Sequence, residues 1–207
     1  MTQRRIGLTG GIATGKSTVA RYLEVAHHLP VMDADIYARE AVQPGSPILE
    51  AIGKHFGPAV LNADGTLNRR ALGEVVFHDA AARQWLEHQI HPYVRQGFQR
   101  DCDPSAPIAV LVVPLLFEAG FTDQVSEIWV VTCAEVIQRQ RLQQRDQLSE
   151  AAVSARLASQ WPLAQKVAQA DVVLTNEGDL ADLFRAVDCA LGRPAVATTD
   201  GGFEGAV

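Results

Sequence analysis

The chain has 207 residues, of which 47% are apolar and 20% charged, and a formal net charge of −6. That fits one globular domain with a real core and excludes a disordered or fibrous chain. The acidic balance and the lack of a basic run argue against a nucleic-acid partner, so any phosphate must be met by local Lys and Arg.

In chain order, Ile6-Gly7-Leu8-Thr9 reads as a short buried strand. Gly10-Gly11-Ile12-Ala13-Thr14-Gly15-Lys16-Ser17-Thr18 follows, with the spacing G-x-x-x-x-G-K-S. This is the phosphate-binding P-loop. Its glycines let the backbone turn tightly, so that successive N–H groups face one concave cradle. Lys16 then reaches the β- and γ-phosphates of a nucleotide, and the Ser17 hydroxyl holds Mg²⁺. Residues 11–18 are therefore the candidate nucleotide site. Ser17 to His27 reads as a helix with Val19, Ala20, Leu23 and Ala26 on one face, its positive end toward the phosphates.

Leu29-Pro30-Val31-Met32 predicts a second parallel strand ending in Asp33-Ala34-Asp35. Ligands of open α/β sheets sit beyond the carboxyl ends of strands, so Asp33 and Asp35 are expected to face the P-loop crevice. Asp35 has an alternative reading, as the N-cap of a helix over Ile36 to Val42. Helices are predicted over Ile48 to Phe56, capped by Ser46, over Arg69 to Phe77, capped by Asn68, and from Asp79 to about Arg100. Residues 36–100 show no strand-like run. So long an excursion between two strands suggests a helical subdomain holding a second substrate.

Ile108 to Val113 is a continuous apolar run, read as a central strand buried on both faces. Pro114-Leu115-Leu116-Phe117-Glu118 lies at its carboxyl end. Glu127 to Thr132 and Asp171 to Thr175 are the fourth and fifth strands. Between them, residues 134–147 form a helix carrying Arg139, Arg141 and Arg145, and Ser149 caps another. Asp179 caps the last helix, and residues 193–207, rich in small residues, read as a flexible tail. Strands alternating with helices mean an α/β fold with a parallel five-stranded sheet and right-handed crossovers.

Cys102, Cys133 and Cys189 have no metal-ligand spacing and read as buried free thiols. With no signal sequence and no apolar span of about 20 residues, a cytoplasmic location is expected.

Guanine-nucleotide switches carry D-x-x-G and N-K-x-D. Neither occurs, and Thr175-Asn176-Glu177-Gly178 lacks the Lys and the Asp. Transporter and motor ATPases end a strand in an acid, where this chain has Val113-Pro114. A small-molecule kinase remains. Its candidate base is Asp33, with Asp35 placing a ribose or a Mg²⁺-bound water. Arg141 and Arg145, one helical turn apart, are candidates to close over the phosphates; the alternative is a solvated helix face. For Arg139 the solvated face is the preferred reading. Arg39, Lys54, Arg69, Arg70 and His91 are candidates for the acceptor, or plain surface. Leu115 and Glu118 either line the acceptor pocket or serve packing and capping. Trp85, Trp129 and Trp161 read as packing, although Trp161 could stack on adenine.

Six blocks carry a resemblance: Leu8-Thr9-Gly10-Gly11-Ile12, Asp33-Ala34-Asp35-Ile36-Tyr37-Ala38-Arg39, Asp64 through Leu72, His91-Pro92, Val113 through Glu118, and Arg141 through Asp146. They fall in family order, and over residues 5–190 the chain resembles dephospho-coenzyme A kinase. The resemblance implies transfer of the ATP γ-phosphoryl group to the ribose 3′-hydroxyl of dephospho-coenzyme A, with ATP and Mg²⁺ bound and neither nucleic acid nor membrane as partner. It implies a P-loop core (1–35, 101–133, 163–192), a helical acceptor subdomain (36–100) and a helical lid (134–162), in a monomer or weak homo-oligomer. Two positions depart from the family pattern. Ala13-Thr14 stands where Gly-Ser is usual, and Asn68 where Asp is more common. Because alanine resists positive φ, Ala13 is expected at negative φ.

Overall fold

The computed structural model describes residues 3–193. Five strands form one parallel sheet: β1 (Arg4–Gly10), β2 (Val31–Asp33), β3 (Ile108–Val112), β4 (Glu127–Thr132) and β5 (Val172–Thr175). Their order across the sheet is β2-β3-β1-β4-β5. The chain moves to one side of β1 for β2 and β3, then to the other for β4 and β5. The crevice where the order reverses lies at the carboxyl end of β1, where the P-loop begins.

Each strand serves two cores because successive side chains point to opposite faces. Val110 and Val112 of β3 join Ile6, Leu8, Trp129 and Leu174 on one face. There the sheet is covered by α1 (Lys16–His27) and α9 (Leu180–Leu191), through Val19, Leu23, Leu183 and Val187. Ala109, Leu111 and Val113 meet Met32, Tyr37, Val94 and Phe98 on the other. The latter come from α2 (Ala34–Glu40), α5 (Ala80–Asp101) and β2. The run Ile108 to Val113 is thus buried on both faces, as its composition predicts.

The block between β2 and β3 contains α2, α3 (Pro47–Phe56), α4 (Arg69–His78) and α5. It has its own apolar cluster of Ala41, Val42, Ile52, Val60 and Leu72, against which Trp85 packs. Between α3 and α4 it has a 3-10 turn at Pro58–Val60 and an isolated antiparallel bridge, Leu61 to Leu67. Ser46, Asn68 and Asp79 cap α3, α4 and α5 through their side chains. Each such cap contributes about 1 kcal/mol. Pro92 lies inside α5 rather than at its start, removing one backbone donor. Gly97 is needed where α5 crosses α2, because a Cβ there would stand 2.7 Å from the Tyr37 ring.

After β4 come α6 (Glu135–Asp146), α7 (Glu150–Ala158) and α8 (Leu163–Val167). Arg139 joins α6 to α7 by bonding Glu135, Glu150 and Ser154, a structural role.

Four expectations are corrected. The second helix starts at Ala34, not Ile36, and its N-cap is Asp33, whose Oδ1 accepts from the Asp35 N–H at 2.8 Å. β2 ends at Asp33, short of the expected Asp35, which puts the cap on Asp33. Ala13 has φ 60, in the left-handed region, where alanine is strained by about 1–2 kcal/mol. Only Cys133 of the three thiols is buried; Cys102 is half-buried and Cys189 exposed. The expected tail, apart from residue 193, lies outside the described residues.

Candidate functional site

A cleft of about 810 Å³ opens at the carboxyl end of β1. Gly10, Gly11, Ile12, Ala13, Gly15, Lys16 and Ser17 form one wall; Asp35, Pro114, Arg141, Arg145 and Gln160 are among the residues that complete it. Of the sequence-derived candidates, the cleft unites the P-loop, Asp35, Arg141 and Arg145; Asp33 is not among its lining residues. Thr14 is buried beneath the loop, and Thr18 lines a separate cavity behind α1.

The loop is tight because its neighbours leave no room. A Cβ on Gly10 would lie 2.5 Å from the Val131 carbonyl oxygen, and one on Gly15 would lie 2.1 Å from Asn176 Nδ2. Gly15, at φ 101, is also the N-cap of α1 and contributes no side chain there. The first amides of α1 therefore face the cleft without a capping side chain, as an anion site requires.

Burial pushes the Lys16 ammonium below its usual pKa, while Asp33 and Asp35 pull it back up. Burial and the neighbouring Asp33 charge push the Asp35 carboxyl above the usual carboxylate range; Lys16 and Arg39 oppose this. Lys16, Asp33 and Asp35 are thus one electrostatic group. Ser17 and Asp35 offer the cleft hard oxygen donors that suit Mg²⁺.

Arg141 donates from Nη1 to the Asn176 carbonyl at 3.1 Å, and Asn176 Nδ2 donates to the Thr14 carbonyl at 2.8 Å. Arg145 is exposed and paired with Asp146.

His91 and Glu118 line a second cavity of about 310 Å³ with His88, Glu87 and Arg95. Burial lowers the His91 pKa, and its ring meets Phe121 edge-on at 5.3 Å. Leu115 is 39% exposed at the end of β3. Arg39, Lys54 and Arg69 are exposed, and none of their side chains has a hydrogen-bond or ion-pair partner among the described residues. Arg70 pairs with Glu74. Neither cavity includes Arg39 or Arg69.

Several residues of this region carried no sequence signal. Lys166 of α8 is fully buried, with its Nζ 2.8 Å from Glu118 Oε1 and 3.2 Å from the Pro114 carbonyl. The Thr9 hydroxyl donates to the same carbonyl at 3.1 Å. The ends of β1 and β3 and the last turn of α8 therefore meet at Pro114. Trp161 stacks on Phe117 with centroids 5.8 Å apart, and its backbone N–H donates to Glu118. Gln138, Gln160 and Asn176 bond the P-loop backbone. Their contacts span 126 to 162 positions, beyond any local pattern.

A family model described as dephospho-CoA kinase matches residues 4–182. The dephospho-CoA kinase of Synechococcus elongatus is 54% identical over 197 residues, covering 94% of each chain. That of Trichormus variabilis is 55% identical over 192 residues, covering 92% of this chain and 98% of the relative. Among solved structures, TT1252 from Thermus thermophilus superposes with a TM-score of 0.82 at 35% identity, covering 92% of this chain and 97% of that one. Dephospho-CoA kinase from Campylobacter jejuni gives 0.62 at 26% identity, covering 90% and 94%. With the P-loop cleft, the second carboxylate and the arginine helix in place, these matches assign the fold and the lineage together: the chain belongs to the dephospho-CoA kinase family.

Proposed function

We infer that the protein transfers the γ-phosphoryl group of ATP to the ribose 3′-hydroxyl of dephospho-coenzyme A, the last step of coenzyme A synthesis. The observation that carries this reading is the single cleft that joins the P-loop, Asp35, Arg141 and Arg145. Phosphoryl transfer asks for position and charge neutralisation more than covalent chemistry. The P-loop amides and Lys16 hold the triphosphate. Ser17 and Asp35 would hold a Mg²⁺ ion, which would supply further neutralisation of the phosphate oxygens.

Asp33 serves as base, accepting the proton of the 3′-hydroxyl as its oxygen attacks the γ-phosphorus. Its Oδ1 is committed to the Asp35 N–H, so Oδ2 is the atom for that role. The capping bond fixes the carboxylate while leaving one oxygen to work. Arg141 and Arg145 stabilise charge on the transferring group, Arg145 leaving Asp146 to do so. Residues 134–162 act as the lid that carries both, and residues 36–100 as the acceptor-binding part. Arg39, Arg69, His91, Leu115 and Glu118 meet the acceptor, the first two its phosphates. The protein acts as a monomer or weak homo-oligomer. The free thiols fit a reducing compartment, the cytoplasm.

The test is ADP release from Mg·ATP against a panel of dephospho-coenzyme A and nucleoside monophosphates, with ³¹P NMR on the product. Turnover with dephospho-coenzyme A alone, and phosphate on the 3′-oxygen, is expected. Turnover only with a nucleoside monophosphate would overturn the acceptor assignment.

A further inference from the structure

Ile12 is gripped on both sides by side chains. Its N–H donates to Gln160 Oε1 at 3.1 Å, and its carbonyl accepts from Gln138 Nε2 at 2.7 Å. Gln138 lies on α6 and is 5% exposed; Gln160 follows α7. Beside them the chain turns from Gly11 to Thr14. The Thr14 N–H and hydroxyl both donate to the Gly11 carbonyl, at 3.3 and 2.8 Å. Ala13 is the third residue of this turn and has φ 60.

Positive φ at the third position is the mark of a type II turn and suits Gly or Asn. Type I differs by a flip of the central peptide, here Ile12–Ala13, and sets the third residue at negative φ. Alanine left to itself prefers that second form. The flip reverses both the Ile12 carbonyl and the Ala13 N–H, and Ala13 lines the nucleotide cleft. Gln138 bonds the carbonyl of the peptide that would flip. Gln160 bonds the peptide just before it. The approach of Gln138 also accounts for Gly11, where a Cβ would stand 2.5 Å from Nε2.

We propose that Gln138 and Gln160 are positioning residues that hold the Ile12–Ala13 peptide against the preference of Ala13, keeping the Ala13 N–H turned to the nucleotide phosphates. This rests on the nucleotide reading of the cleft. Any movement of α6 and α7 then acts directly on the phosphate cradle.

A double-mutant cycle tests it, combining Gln138→Met with Ala13→Gly. Glycine adopts positive φ without penalty, so it removes the need for the brace. Affinity for Mg·ADP is read by calorimetry, with the melting temperature of each variant measured alongside. Gln138→Met should weaken Mg·ADP about fivefold with Ala13 present and less than about twofold with glycine there. Gln160→Met should follow the same pattern, and replaces Gln138→Met if that variant does not fold. Equal losses in both backgrounds would mean ordinary packing and overturn the proposal, as would no loss in either. A wild-type chain that binds no Mg·ADP would instead remove the nucleotide reading beneath it.

Discussion

The nucleotide cleft and the proposed acceptor region are built from different material. In the nucleotide cleft the P-loop offers its backbone amides beside the Lys16 side chain, and buried side chains hold that backbone in place: Gln138, Asn176 and Thr14. In the proposed acceptor region the candidates are long side chains on helices. Arg39 and Arg69 are exposed and bond nothing among the described residues. Backbone held by tertiary bonds is rigid before the ligand arrives, so little entropy is lost on binding. A free arginine must be ordered by its ligand, at a cost of about 0.5–1.5 kcal/mol per side chain. The P-loop is thus held before a ligand arrives, whereas the proposed acceptor residues would be ordered by their substrate.

The largest expected effect tests the P-loop. Lys16→Met removes the cation aimed at the β- and γ-phosphates, and kcat should fall by about 10²–10³-fold. Asp33→Asn comes next. Asparagine still caps α2, so the fold is kept while the proposed base is lost. Single-turnover rates should drop by about 10²-fold with the melting temperature nearly unchanged. A near-normal rate would leave Asp33 as a cap alone and assign the nucleophile's proton to another group.

What could be read in advance follows the same division. Strands, helices and the caps Ser46, Asn68, Asp79, Ser149 and Asp179 were legible because their signals are local: an apolar period, or a hydroxyl or carboxylate just before a helix. The P-loop was legible because its chemistry depends on contiguous spacing. Gln138, Gln160, Asn176 and Lys166 were not, since their partners lie far along the chain and nothing marks a buried glutamine in a sequence. The Ala13 error has the same origin. Local preference favours negative φ, and two distant amides outweigh it. That Asp33 rather than Asp35 is the cap was not legible, because strand ends are uncertain by a residue or two.

A smaller effect is expected in the proposed acceptor region. Arg39→Ala and Arg69→Ala should each raise the KM for dephospho-coenzyme A about three- to tenfold while leaving the KM for ATP within about twofold. Arg139→Ala is the contrast: it is bonded between α6 and α7, so stability should change and neither KM should. Unchanged acceptor KM in both Arg39→Ala and Arg69→Ala would place phosphate recognition in the cavity around His91 and Arg95.

The smallest effect concerns what fastens α2 to α5 within the helical block. Tyr37 of α2 is buried, and its hydroxyl donates to Asp101 Oδ2 at 2.8 Å at the end of α5. Arg100 bonds both oxygens of the same carboxylate. These partners, Arg100 first, hold the Asp101 pKa down to about 2, from an ordinary 3.8. The folded chain therefore binds this proton less readily than the unfolded one. Its contribution to stability is complete above pH about 4 and is lost as pH falls toward about 2. Asp101→Asn should melt slightly lower than wild type at pH 6, by an amount that shrinks below pH 4 and vanishes near pH 2. A gap that stays constant across that range would show that Asp101 acts by shape rather than charge. The α2–α5 joint would then depend on the fit of Tyr37 against Gly97, as packed as the P-loop cradle.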